Sequence, residues 1–138
     1  MSKKLILFDL DGVLLDSKEN MSLSWDIVCE KYNLNIEFKD YFSNIGRPFK
    51  DILEILNIRE EQYEIEQTFN NTSSQLIDKV KVYDGVRVLL HQLLNKNIKT
   101  GIITSKETNK THKMISLLDF TFDIVQTPND HLNGKPAP

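Results

Sequence analysis

The stretch Leu5-Ile6-Leu7-Phe8-Asp9-Leu10-Asp11-Gly12-Val13-Leu14-Leu15-Asp16-Ser17 decides the fold. An apolar run of strand length ends in two carboxylates spaced i and i+2, with no other polar residue between Leu5 and Leu10. Side chains on an extended chain alternate between faces, so Asp9 and Asp11 project the same way. Two acids held together at the carboxyl end of a buried strand repel each other unless a cation or shared proton intervenes. Ligands of open α/β sheets bind at that end of the strands. The reading is a metal-assisted site whose nucleophile or base is an aspartate. A plain Asx-type turn, with Gly12 supplying the permissive dihedral, accounts for Asp11-Gly12 but not for the pair.

The run resembles the first motif of the haloacid dehalogenase-like hydrolases, a superfamily made mostly of phosphatases and phosphomutases, and the likeness extends through Gly-Val-Leu and Asp-Ser. The resemblance implies that Asp9 takes the phosphoryl group as an aspartyl-phosphate. It implies that Asp11 is the general acid/base that protonates the leaving oxygen and later activates water. A carboxylate nucleophile is established chemistry for such transfer.

Outward from this run, the sequence alternates. After the Leu5 to Phe8 strand and a short flap at Val13-Leu14-Leu15, residues 18–80 turn helical. Trp25, Val28, Cys29 and Tyr32 form one helical stripe, read as core packing. Ile52, Leu53, Ile55 and Leu56 mark a second helix that begins after Pro48 and ends near Asn57. Ile65, Phe69, Thr72, Leu76 and Val80 predict a long third helix. The α/β pattern then resumes with a helix through Val86, Leu89, Leu90, Leu93 and Leu94. A strand at Thr100 to Thr104, a helix at Thr108 to Leu118 and a strand at Phe122 to Val125 follow. The expectation is an α/β fold with a doubly wound parallel, Rossmann-like sheet and an inserted helical cap. Residues 1–16 and 83–138 are read as the core and 17–82 as the cap, with Asp84-Gly85 as the turn where they rejoin.

Other stretches carry weaker signals that the family resemblance strengthens. Thr104 ends the second core strand, and Ser105 and Lys106 follow at a helix start, where a hydroxyl and backbone N–H groups can cradle an anion. An ordinary helix cap from the Thr, Ser and Asn residues between 104 and 109 fits equally well. Gly101-Ile102-Ile103-Thr104-Ser105-Lys106 resembles the family's second motif, which implies that Thr104 bonds a phosphoryl oxygen with the Ser105 backbone assisting. Gly134-Lys135-Pro136-Ala137-Pro138 resembles the third, whose lysine, Lys135 here, neutralises the phosphoryl charge. It is not a Walker loop. In the cap, Gly46-Arg47-Pro48 opens a helix, and Arg47 and Lys50 are candidates for a distal carboxylate or phosphate. Caps exclude water and read the unreacting part of a substrate.

The implied cofactor is Mg2+ on Asp9 and Asp11. The family's fourth, acidic motif is absent from the sequence, so weak metal affinity and low turnover are expected. The strand carrying that motif would flank Leu5 to Phe8. Its absence predicts an unpaired apolar edge, open to homodimer formation, in a fragment or a natural short form.

With 40% hydrophobic and 27% charged residues, the 138-residue chain is long enough for a real core. A net charge of −3 with scattered Lys and Arg argues against a nucleic-acid partner. Cys29 is the single cysteine, which suits a reducing, cytoplasmic setting. The apolar start is too short for a signal or membrane segment. His91, His112 and His131 lack metal-ligand spacing.

The expected function is a Mg-dependent phosphatase acting on a small phosphorylated metabolite, with a leaning toward phosphoglycolate-phosphatase-like members. The alternatives are a phosphomutase of the same family and a catalytically impaired regulatory module. A signalling receiver domain fails because its phosphoacceptor should end a middle strand, whereas Asp51 opens a helical stretch without a strand before it.

Overall fold

The computed structural model describes residues 3–128. Three short strands, β1 (Leu5–Phe8), β4 (Lys99–Ile103) and β5 (Ile124–Gln126), form a parallel sheet in the order β1-β4-β5. Two further strands, β2 (Leu15–Asp16) and β3 (Lys81–Val82), pair antiparallel with Leu15 opposite Val82 and Asp16 opposite Lys81. They sit where the chain leaves the sheet region for the helices and where it returns. Between them lie α1 (Lys18–Tyr32), α2 (Phe38–Phe42), α3 (Phe49–Ile55) and α4 (Gln62–Gln75). Two more helices, α5 (Val86–Asn95) and α6 (Thr108–Ile115), alternate with β4 and β5. This is the expected α/β class.

The buried apolar residues fall into two clusters. One gathers Leu10, Leu14, Leu15, Leu90, Ile102, Met114 and Leu118 around the parallel sheet. The other gathers Trp25, Val28, Tyr41, Leu53, Ile65 and Phe69 among α1 to α4. Each fully buried side chain of this size contributes about 1.5–3 kcal/mol, so each cluster holds its own unit together. Trp25 stacks on Tyr41 at 4.7 Å between ring centroids and donates its indole N–H to the Ile36 carbonyl at 3.0 Å. Gly101 lets the sheet close up: a Cβ there would stand 2.8 Å from Leu7 Cδ2 and 3.2 Å from the Ile124 carbonyl oxygen.

Four expectations need adjustment. The long third helix stops at Gln75, and a 3-10 turn, Ile77–Lys79, replaces its last part. Asn20 explains this, because its buried amide donates to the Ser73 and Leu76 carbonyls that a continuing helix would use. The helix after β4 likewise ends at Ile115, a 3-10 turn follows at Ser116–Leu118, and Asp119 closes it in the left-handed region at φ 49°. The last strand begins at Ile124 because Phe122 turns into the sheet's apolar cluster. Helix α2 has no counterpart in the sequence reading: five residues are too few for a periodic stripe, and only Tyr41 among them is buried.

Among the described residues β1 pairs on one side only, with β4. Leu5 and Leu7 are 48% and 47% exposed, in line with the apolar edge expected there.

Candidate active site

Strand β1 ends at Phe8, and the chain keeps its alternation for three more residues. Leu10 is fully buried in the sheet cluster while Asp9 and Asp11 stand on the opposite side and line one cavity. Gly12, at φ 77°, then turns the chain, and the Leu10 carbonyl accepts from the Leu14 and Leu15 N–H groups. This tight loop fixes both carboxylates at the sheet's carboxyl end. Thr104 arrives beside them because β4 is the neighbour of β1.

Asp11 is the most constrained group. The Ser17 hydroxyl donates to its Oδ1 at 2.6 Å, and the Lys106 ammonium sits 3.0 Å from its Oδ2. Both members of the ion pair are largely buried, with 8% of the Lys106 side chain and 15% of the Asp11 side chain exposed. Burial works to raise the Asp11 pKa. Lys106, Ser17 and the more distant Lys110 outweigh it, and the carboxyl lies below its ordinary value. Asp9 accepts the Leu10 N–H on its Oδ1 at 2.8 Å.

The Thr104 hydroxyl accepts the Lys106 N–H at 3.1 Å, which folds the Thr104-Ser105-Lys106 turn and returns Lys106 toward Asp11. Ser105 does something the sequence did not suggest: its hydroxyl donates to the Gly46 carbonyl at 2.9 Å, joining this turn to the loop before α3. The start of α6 is capped from within the chain. The Glu107 carboxylate caps this helix by accepting the Asn109 and Lys110 N–H groups, at 2.9 Å each. The cap is therefore a glutamate, not one of the neighbouring Ser, Thr or Asn residues.

Helices α2, α3 and α4 supply the opposite wall. Tyr41, Phe49, Phe69, Glu66 and Asn70 line the cavity of about 120 Å³, and Arg47 stands at its margin. Burial and then the Asp11 charge push the Tyr41 phenol above its ordinary range, so it stays neutral. Burial followed by the Glu107 charge raises the Glu66 carboxyl.

Of the sequence candidates, Asp9, Asp11, Thr104, Ser105 and Arg47 share this cavity. Lys50, one residue into α3, is exposed and is not among the lining residues. Lys135 and His131 lie outside the described residues. Lys106 and Ser17 were inside quoted motifs. The Ser17 bond to Asp11 is local, six residues apart, whereas the Lys106 pair is a tertiary fact, visible only once β1 and β4 are neighbours. Lys110 and Glu66 had no sequence signal beyond their places on amphipathic helices.

Asp9 and Asp11 offer a divalent cation oxygen donors only. The Asp9 carboxylate and the Asp11 backbone carbonyl, with water completing the shell, would suit magnesium, which seldom takes an all-protein cage. No group of three or more acidic, histidine or cysteine ligands occurs among the described residues.

Residues 6–138 match the family described as Haloacid dehalogenase-like hydrolase. The whole chain is 29% identical to pyrophosphatase PpaX of Oceanobacillus iheyensis, and 98% of it is 29% identical to the beta-phosphoglucomutase of Bacillus subtilis. The chain spans 65% of the length of each of these relatives. Among solved structures, a hydrolase from Pseudomonas syringae superimposes with a TM-score of 0.87 at 23% identity, covering 99% of this chain and 65% of that one. This likeness concerns the fold.

Proposed function

Because the chain belongs to the haloacid dehalogenase-like hydrolases, we propose that it is a magnesium-dependent phosphatase of small phosphorylated metabolites, working through an aspartyl-phosphate on Asp9. The observation that supports this reading best is that Asp9, Asp11, Thr104 and Lys106 meet at the floor of one cavity. In the proposed reaction an Asp9 carboxylate oxygen attacks phosphorus and the bond to the leaving oxygen breaks. Asp11 is the general acid toward that oxygen. Lys106, which holds its carboxyl ionised in the free protein, shifts to the phosphoryl oxygens when substrate binds and leaves Asp11 able to carry and deliver the proton. Asp11 then takes a proton from water as the water attacks phosphorus, freeing phosphate and restoring the Asp9 carboxylate. Magnesium held by Asp9 and Asp11 would supply positive charge against the phosphoryl oxygens. Thr104 donates its hydroxyl to one of those oxygens, and Lys106 and Lys135 place ammonium charge beside them.

In the same reading residues 17–82 act as a cap over a core of 1–16 and 83–138. Their aromatic wall, with Arg47 at the margin, holds the leaving group and limits water. Lys50 is assigned to distal anions. The reading places the protein in the cytoplasm. No helix among the described residues is long and apolar enough to cross a membrane. It also includes a homodimer through the β1 edge, where Leu5 and Leu7 are exposed.

Similarity to a beta-phosphoglucomutase favours a second reading, a phosphomutase that returns the phosphoryl group to a sugar rather than to water. That no cluster of three or more potential metal ligands occurs among the described residues favours a third, an impaired regulatory module. The separating experiment is turnover of para-nitrophenyl phosphate with added magnesium, against an Asp9→Asn control. The phosphatase reading expects turnover that the substitution abolishes. Equal background rates in both proteins would reject it in favour of the impaired module.

A further inference from the structure

The cavity contains a buried cation that the proposed chemistry has not used. Lys110, on the first turn of α6, is 5% exposed and lines the same cavity as Asp9 and Asp11. None of the ion pairs among the described residues includes it. Its ammonium nitrogen lies 4.6 Å from the centre of the Phe69 ring on α4, and the Lys106 charge acts on it. A ring face offsets only about 0.5–2 kcal/mol of the cost of burying an ammonium group. The nearby acids are otherwise engaged: Asp11 by Ser17 and Lys106, and Glu107 by the backbone at the start of α6. Glu66 on α4 lines the same cavity, its carboxyl raised by burial and the Glu107 charge and lowered by Lys110, but it makes no ion pair with Lys110. Burial, then the charge on Lys106, drive the Lys110 ammonium well below the ordinary lysine range, against the pull of Asp11 and Glu107.

We propose that Lys110 is a specificity-determining residue that binds an anionic group carried by the substrate next to the transferring phosphoryl group. The proposal rests on the phosphatase reading and names its substrate class: a compact molecule with a second phosphoryl or carboxylate group within a few bonds of the leaving oxygen. Position supports this. Lys110 lines the cavity together with Lys106, which holds the acid/base Asp11, and its ammonium rests on Phe69 of the far wall. The ammonium therefore stands between the reacting centre and that wall, where the leaving group must lie. A negative charge there supplies the direct ion-pair partner that Lys110 lacks among the described residues, and a neutral leaving group does not. A cavity of about 120 Å³ favours a compact molecule.

The test uses the full chain and two probes that cannot be hydrolysed, methylenediphosphonate and methylphosphonate, which differ by the second anionic group. Calorimetry at fixed magnesium should give wild-type binding about tenfold or more tighter for methylenediphosphonate, the scale of one charge-assisted hydrogen bond. Lys110→Met should remove most of that gap. Lys110→Arg should restore much of it, and Phe69→Leu, which deletes the ring but keeps the ammonium, should preserve it. Should Lys110→Met fail to fold, the Lys110 side-chain carbon resonance of the wild-type protein gives the answer. It should move with methylenediphosphonate and stay put with methylphosphonate. A wild-type protein without the gap, a gap that Lys110→Met leaves intact, or a Lys110 resonance blind to both probes would overturn the proposal. A Lys110-dependent gap in a protein that releases phosphate from neither para-nitrophenyl phosphate nor inorganic pyrophosphate would reject the phosphatase reading alone.

Discussion

Replacing Asn20 with alanine should loosen the helical unit and, with it, the wall of the cavity. Asn20 is fully buried on α1, and its amide nitrogen donates to the Ser73 carbonyl at 2.9 Å and to the Leu76 carbonyl at 2.8 Å. Its oxygen accepts the Ser73 hydroxyl at 2.6 Å. Two buried hydrogen bonds and one partly buried one, at about 1 kcal/mol each, give a loss of roughly 3 kcal/mol. For a chain of this length that lowers the melting temperature by roughly 10 °C. Urea unfolding followed by the fluorescence of Trp25, the single tryptophan, reads the affected unit directly, because Trp25 is buried there. Ser73→Ala breaks one of the three bonds and should cost about 1 kcal/mol. The double variant should cost less than the sum, since the two residues share a bond. A loss below about 1 kcal/mol for Asn20→Ala would refute the claim that this amide fastens α1 to the end of α4.

Two other perturbations probe the sheet and the site. Gly101→Ala presses a methyl group against Leu7 and the Ile124 carbonyl, and because the carbonyl is backbone the strands must part. The expected loss is about 1–3 kcal/mol by chemical denaturation, with unchanged stability as the contrary result. Asp11 has a pKa below its ordinary value of 3.8 in the folded protein, so its contribution to stability is present above 3.8 and is lost as pH falls through the lower folded value. In metal-free acid titrations, Asp11→Asn should therefore show a shallower loss of stability below that point than the wild-type chain; superimposable curves would contradict the assignment.

What the sequence made legible follows from how local each signal is. The alternation of Asp9, Leu10 and Asp11 is a property of three consecutive residues, and the structure keeps it, with Leu10 buried and both acids in the cavity. The stripe through Trp25 and Val28 likewise survives as α1. By contrast, α4 stops because of an amide supplied from α1, more than fifty residues earlier in the chain, and no window of sequence contains both. The site divides the same way. Thr104 was visible as the hydroxyl ending a strand, whereas the Lys106–Asp11 pair exists only because β1 and β4 lie side by side. Lys110 reads in sequence as one more polar position on a short helix, and it is Phe69 from α4 that buries it. Ser105 was assigned to a phosphoryl group through its backbone, while its side chain holds the Gly46 loop, which is a contact between units rather than a motif.

The central claim is that Asp9 carries the phosphoryl group, and acid quenching of the protein during turnover of para-nitrophenyl phosphate tests it most directly. Peptide mapping of the quenched wild-type chain should find one phosphoryl group on the peptide holding Asp9, labile to hydroxylamine and absent from Asp9→Asn. Sustained turnover with no phosphoryl group on that peptide, or with the label on another residue, would contradict the account.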